Sequence, residues 1–194
     1  MKLKGLLLCG GRSSRLGLDK SLLEIDGQQV YNRWIEYFTS FQIDLYISCK
    51  PEQVSNYNHH LIIVDKHDQL GPLSGLVAAI HNDASCHWFI VSVDLLYITK
   101  NDINYLLSKY KKEYFACCFQ DANSIIYPLF SLISPSMHTY IQEHLLLPNP
   151  SIKKILSHPN VQKLHALFDN SLVSINTSMD LKNYLHFLDQ IQGE

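Results

Sequence analysis

The chain has 194 residues, 46% of them hydrophobic, which is enough to bury one substantial core and sits near the upper end of the single-domain range. A formal net charge of −2 offers no general attraction to nucleic acid or anionic lipid, so neither is expected as a partner. No apolar stretch approaches the roughly 20 residues that span a bilayer, and Met1-Lys2-Leu3-Lys4 runs into a strand pattern without a cleavage-site signature, so a cytoplasmic protein is expected.

Leu3 to Cys9 reads as a buried strand and is followed by a glycine-rich loop; Val30 to Phe41 then has helical spacing. Ile43 to Ser48 and Leu61 to Val64 predict further strands, Leu73 to His81 a helix, Trp88 to Val93 a strand and Asn101 to Tyr110 a helix. This alternation predicts an α/β fold: a single-domain, mostly parallel, Rossmann-like sheet with helices on both faces and ligands beyond the carboxyl ends of its strands. Gly10, Asp65 and Asp94 each follow such a strand. Tyr114 to Phe119 and Ile125 to Ile133 predict two more strands joined by Gln120-Asp121-Ala122-Asn123, and Pro135 to Leu147 a helix. Leu147-Pro148-Asn149-Pro150 marks a stop, after which Ser151 can cap the segment starting at Ile152. Leu181 to Ile191 predicts a last helix, with Thr177 or Ser178 as its N-cap. No repeat, low-complexity tract or long linker interrupts the pattern, so one domain is expected over residues 1–194.

Five cysteines make an odd, scattered count for which reduced thiols are the simplest state, and neither His59-His60 nor Cys86-His87 belongs to a recognisable series of zinc-ligand spacings. The chemistry-bearing segment is Gly10-Gly11-Arg12-Ser13-Ser14-Arg15-Leu16-Gly17-Leu18-Asp19-Lys20, which places three cations in a glycine loop directly after a strand. Backbone N–H groups, the Ser13 and Ser14 hydroxyls, Arg12, Arg15 and Lys20 can together surround phosphate oxygens with charge-assisted hydrogen bonds; the plain alternative is a polar surface turn. The segment is neither common phosphate fingerprint. Leu18 and Asp19 separate Gly17 from Lys20, where a P-loop needs adjacency, and the glycine spacing is too wide for the dinucleotide motif.

Three further segments stand out. In Val64-Asp65-Lys66-His67-Asp68-Gln69-Leu70-Gly71-Pro72-Leu73-Ser74-Gly75, Asp65 offers a carboxylate, and Gly71-Pro72 turns into a helix start that can wall a base pocket or simply form a turn with solvated aspartates. Phe89-Ile90-Val91-Ser92-Val93-Asp94 delivers one carboxylate at a strand end, a reasonable magnesium ligand and equally a cap for the next turn. Asn176-Thr177-Ser178 reads alone as a helix-capping sequence.

The string from Leu8 to Leu23 closely resembles the signature of the MobA-like nucleotidyltransferases, and the other three segments resemble that family's motifs in unchanged order from about Lys4 to Leu185. The match is to its molybdenum cofactor guanylyltransferase branch. The resemblance implies a sheet of the nucleotide-diphospho-sugar transferase type and transfer of GMP from GTP to molybdopterin, usually carrying molybdenum, with release of pyrophosphate. It implies Mg²⁺ as cofactor, GTP and molybdopterin as substrates, and a molybdoenzyme or delivering chaperone as further partners. On these positions it implies Lys20, Arg15 and Asp94 as catalytic residues and Leu8, Cys9, Gly10, Gly11, Lys20, Asp65, Gly71 and Asp94 around the nucleotide. Asp94 is the implied metal ligand, and Asn176 a neighbour of the substrate site. The chain departs from the family pattern at Ser92, Leu95, Leu96 and Ser178, where the family usually has Cys before the aspartate and Pro after both the aspartate and the Asn-Thr pair. A molybdopterin cytidylyltransferase, a sugar-phosphate nucleotidyltransferase and a degenerate nucleotide-binding protein are the alternatives. For the pterin, Tyr127-Pro128 and Ile152-Lys153-Lys154 offer apolar contact and charge, which packing and a solvated basic face explain equally well.

Overall fold

The computed structural model describes residues 1–10, 19–59, 61–65, 68–166 and 171–192. The first apolar run forms β1 (Leu3–Leu8), and a short hairpin, β2 (Glu24–Ile25) with β3 (Gln28–Gln29), leads into α1 (Val30–Ser40). The hairpin turns on Asp26-Gly27, both at positive φ, the backbone that matches the twist of a two-residue loop. β4 (Leu45–Cys49), β5 (Ile62–Val64), α2 (Pro72–Asn82), β6 (His87–Ser92) and α3 (Lys100–Lys109) follow. Then come β7 (Ala116–Gln120), β8 (Ile126–Ile133), α4 (His138–Leu145), α5 (Ile152–Leu156), β9 (Val161–His165) and α6 (Ser178–Gln192).

Seven strands form one sheet in the order β5-β4-β1-β6-β8-β7-β9. β5, β4, β1 and β6 run parallel, β8 runs antiparallel to both β6 and β7, and β9 returns parallel to β7. The sequence-based expectation of a mostly parallel sheet is met. Each strand end lies within two residues of its expected place except in β9 and the hairpin, which the apolar periodicity does not reveal. β7 and β8 slip register between Cys118 and Phe119, and Pro128, which has no N–H to donate, lies in the stretch of β8 that the slip leaves out of the ladder.

Alternation along the strands divides the core. Leu7, Phe89, Val91, Cys117, Phe119, Phe130 and Leu132 pack with α1, α3 and α6, whereas Leu6, Leu8, Trp88, Ile90, Ala116, Cys118 and Ile133 pack with α2, α4 and α5. Helices thus cover both faces, as parallel strands require. The predicted caps hold: the Ser151 hydroxyl accepts the Lys154 N–H at 3.2 Å, and Thr177, rather than Ser178, caps α6, accepting the Asp180 N–H at 3.1 Å. All five cysteines are free and buried, and burial pushes Cys117 and Cys118 up to about 12. No helix among the described residues is long and apolar enough to cross a membrane.

At the amino-terminal edge of the sheet, Asp83 accepts from Lys2 Nζ at 2.6 Å and Lys4 Nζ at 3.0 Å. His138 starts α4 beneath the same edge, buried, with an Nε2 that has no hydrogen-bond partner among the described residues. Burial lowers its pKa below the ordinary 6.5. Below about pH 6.5 the unfolded chain therefore binds a proton at this residue that the folded chain resists, and stability falls with pH from there down to the depressed folded value. Thermal unfolding followed from pH 7.5 to 5 should show this decline, and His138→Gln should flatten it; an unchanged slope in the variant would assign the decline to other groups, His87 first.

Candidate active site

β1 is the point at which the chain reverses direction across the sheet: the next sheet strands, β4 and β5, extend to one side of it, and β6 returns to the other. In open α/β sheets this reversal opens a crevice at the carboxyl ends of the strands. Residues 11–18, the segment that leaves β1 there, fall outside the described residues, and with them Gly11, Arg12 and Arg15.

The chain re-enters at Asp19, which caps a 3-10 turn, Lys20–Leu22. Asp19 Oδ1 accepts both the Ser21 N–H at 3.0 Å and the Ser21 hydroxyl at 2.6 Å, while its Oδ2 accepts the Gln53 side-chain amide at 2.8 Å. Gln53 Oε1 in turn accepts the Lys50 N–H at 3.1 Å, and Ser21 Oγ shares a 2.8 Å hydrogen bond with the buried Tyr57 hydroxyl. The Cys9 thiol lies beside Tyr57, and burial raises both groups above their ordinary values. The turn carrying Lys20 is thereby bolted to the ends of β1 and β4 through side chains with few alternative partners.

From that turn Lys20 Nζ reaches Asn176 Oδ1 at 2.8 Å and Asp94 Oδ2 at 3.5 Å. Both charged side chains are only 16% exposed, so their attraction is less screened than that of a surface pair. Asp94 stands just beyond β6 and Asn176 just before α6, and the two segments are joined directly, the Ile175 N–H donating to the Asp94 carbonyl at 2.9 Å. Asn176 is presented by a capping box: the Asp180 carboxylate accepts the N–H groups of Asn176 at 2.9 Å and Thr177 at 2.8 Å, which lowers its pKa. Three sequence-predicted residues from distant parts of the chain, Lys20, Asp94 and Asn176, therefore meet.

A second group lies at the ends of β1, β4 and β5. Asp65 Oδ1 accepts the Ser48 hydroxyl at 2.5 Å, and a Cβ built on Gly10 would stand 2.9 Å from Asp65 Oδ2, so this carboxylate sits against bare backbone. Gly71, at φ +53° and ψ −136°, turns the chain into α2 with Pro72 in the first helical position. Four positions later, a Cβ on Gly75 would meet Ser48 Oγ at 2.3 Å and Leu8 Cδ2 at 2.6 Å, so α2 lies directly on β1 and β4. The side chains of Leu8 and Cys9 point into the two halves of the core, which leaves only their backbone for a ligand. Lys154 is tied to its own turn, donating to the carbonyls of Pro148 and Asn149.

Ser48, Gln53 and Tyr57 are site residues that the sequence motifs do not single out, and Asp180 acts here as a cap. Asp19-x-Ser21 and Thr177-x-x-Asp180 do have the spacing of caps, whereas nothing in the sequence distinguishes Ser48 or Tyr57 from ordinary strand and loop residues. As to metal, Asp94 Oδ1 is buried with no hydrogen-bond partner among the described residues, and no group of three or more His, Cys, Asp or Glu side chains gathers there. One hard oxygen donor with spare capacity fits magnesium, which takes one or two carboxylates and completes its shell with water and phosphate oxygens; it does not fit an all-protein cage.

The family model described as the MobA-like NTP transferase domain matches residues 5–168. The molybdenum cofactor biosynthesis bifunctional protein of Synechocystis is 28% identical over 62% of this chain, a match that spans only 35% of that longer protein. A probable molybdenum cofactor guanylyltransferase of Natranaerobius thermophilus is 26% identical, covering 96% of this chain and 97% of the relative. The crystal structure of molybdopterin-guanine dinucleotide biosynthesis protein A from Archaeoglobus fulgidus shares the fold, with a TM-score of 0.78 at 22% identity over 96% of this chain and 99% of that one.

Two substitutions test the packing around Asp65. Gly75→Ala should reduce the free energy of unfolding by about 1–3 kcal/mol in urea titration, because the contact is with a strand side chain backed by the sheet. Gly10→Ala should leave stability closer to wild type and weaken nucleotide binding in calorimetry, because the group displaced is the Asp65 carboxylate.

Proposed function

Since this chain belongs to the MobA-like NTP transferase domain family, we propose that it is a molybdenum cofactor guanylyltransferase, transferring GMP from GTP to molybdopterin with release of pyrophosphate. The observation that carries the reading is the meeting of Lys20, Asp94 and Asn176 where the sheet reverses, beside a glycine that lets backbone approach a ligand. Relatives matched over most of their length and named probable molybdenum cofactor guanylyltransferases support the same reading.

In this mechanism an oxygen of the already ionised molybdopterin phosphate attacks the α-phosphorus of GTP. The new P–O bond forms as the bond to the oxygen bridging the α- and β-phosphates breaks, and pyrophosphate leaves with that electron pair. No protein nucleophile or general base is required. Lys20, assisted by Arg15, offsets the charge that grows on the departing pyrophosphate, and its anchored turn keeps the ammonium aimed before the substrate arrives. Gly10 and Gly11 let the triphosphate lie against the backbone, and Asn176 holds the Lys20 ammonium through its side-chain oxygen. Asp65, oriented by Ser48, accepts from guanine N–H groups, and the Gly71 turn contributes to the nucleotide site. A magnesium ion held by Asp94 would neutralise phosphate charge and so permit two anions to approach.

Lys20→Ala and Asp94→Asn should each lower kcat/KM by roughly 10²–10³-fold in a pyrophosphate-release assay with GTP and molybdopterin. Calorimetry should show binding selective for GTP over CTP and ATP, weakened in Lys20→Ala. Selective CTP binding would make the protein a cytidylyltransferase instead, and failure to bind any nucleotide, with or without Mg²⁺, would overturn the enzymatic reading.

A further inference from the structure

We propose that Arg33, a residue of α1, is a positioning residue for the site: it fastens the loop that carries Asp94 to α6, which begins just after Asn176. The inference rests on the reading of Lys20, Asp94 and Asn176 given above.

The Arg33 guanidinium spends its donors on three elements at once. Nη2 donates to the carbonyls of Leu96 at 2.8 Å and Ile98 at 3.1 Å, Nη1 to the Tyr184 hydroxyl on α6 at 2.5 Å, and Nε to the Tyr37 hydroxyl at 3.0 Å. Its charged carbon lies 5.1 Å from the centre of the Tyr37 ring. Around this hub Tyr97, in the same loop, packs edge-on against Tyr184 with ring centres 5.0 Å apart and tilts against Phe187 at 5.2 Å. Asp94, at the loop's start, is held from the other side by the Ile175 N–H.

A segment that needed only filled volume would be better served by an apolar side chain, because drawing a guanidinium out of water is costly and these four hydrogen bonds all go to neutral oxygens. What the guanidinium adds is direction. Its planar fork can take two loop carbonyls from one nitrogen and a phenol from the other, which a lysine ammonium or a methionine cannot reproduce. The loop from Asp94 to Ile98 contains no proline to restrict its backbone, so its shape depends on its turn hydrogen bonds from Leu95 N–H to Ser92 and Ile98 N–H to Leu95, the buried Leu95, Leu96 and Ile98 side chains, the Ile175 bond and Arg33. With the tether cut, the Ile175–Asp94 hydrogen bond and the packing of Tyr97 on Tyr184 are left to hold Asp94 in register with Asn176, and reacting groups displaced by even about 1 Å lose rate steeply.

The test uses the full chain with Arg33→Met, Arg33→Lys and, as a control at the far edge of the sheet, Asp83→Asn. In ligand-free protein, amide hydrogen exchange at Ile175 and Leu95 should quicken by about tenfold or more in Arg33→Met, with the Asp65 N–H, bonded to Cys49, unchanged. Asp83→Asn should leave Ile175 as in wild type. In the turnover assay Arg33→Met should lower kcat about tenfold or more and raise the half-saturating magnesium concentration, with the nucleotide KM within about twofold of wild type and Arg33→Lys intermediate. Unchanged exchange at Ile175, exchange that quickens equally at Asp65, or quicker exchange with kcat and magnesium dependence intact would each overturn the proposal. A wild-type protein that releases no pyrophosphate overturns the functional reading instead, and the exchange data still decide whether the tether exists.

Discussion

Lys20 reaches from the turn after the glycine loop to a carboxylate beyond β6 and an amide ahead of α6, and the rest of the site is arranged around that reach. A lysine side chain has many rotamers, and an ammonium between two partners holds its place only if both ends of the span are rigid. At its own end, Asp19 and Ser21 close the turn, and Gln53 and Tyr57 tie it to the strands. At the far end, the Ile175–Asp94 hydrogen bond joins the two partner segments, and the capping box at Thr177 and Asp180 presents Asn176. Preorganisation of this kind lets charge stabilise a transition state without reorganisation during the reaction.

The sheet supplies the second constraint. Parallel strands deliver their carboxyl ends to one edge, and the reversal at β1 leaves room there for a ligand between segments that follow neighbouring strands. Gly10 and Gly75 keep that edge thin: one brings backbone against Asp65, and the other lets α2 lie on Ser48 and Leu8. The departures from the family pattern fall into place within this frame. Leu95 and Leu96, standing where that pattern places proline, are anchored in the core, and their loop is laced to α1 and α6. Ser178 occupies the first helical position of α6, where proline is merely favoured, and the cap is complete without it.

Much of the fold was legible because strands buried on both faces read as apolar runs, and helices of this length carry their own periodicity. β9 escaped because Val161-Gln162-Lys163-Leu164-His165 is short and mostly half-exposed at the sheet's edge, and the hairpin because two-residue strands have no period to detect. Among the site residues, Asp65 and Asp94 were visible from their places after strands, and Lys20 from the cation-bearing glycine segment. The anchoring residues were not, because Ser48, Gln53, Tyr57 and Arg33 act on groups 17 to 151 positions away or on loops whose course the sequence does not reveal.

The sequence by itself determined the α/β alternation, the two-faced burial, the caps of α5 and α6 and the order of the motifs, because each depends on neighbours within a turn or a strand. Tertiary structure alone decided which motifs meet. Strand order placed β1 between β4 and β6, and that adjacency brought Lys20 to a carboxylate 74 positions along the chain and an amide 156 positions along it. Such contacts arise from sheet topology and packing, for which local periodicity carries no signal.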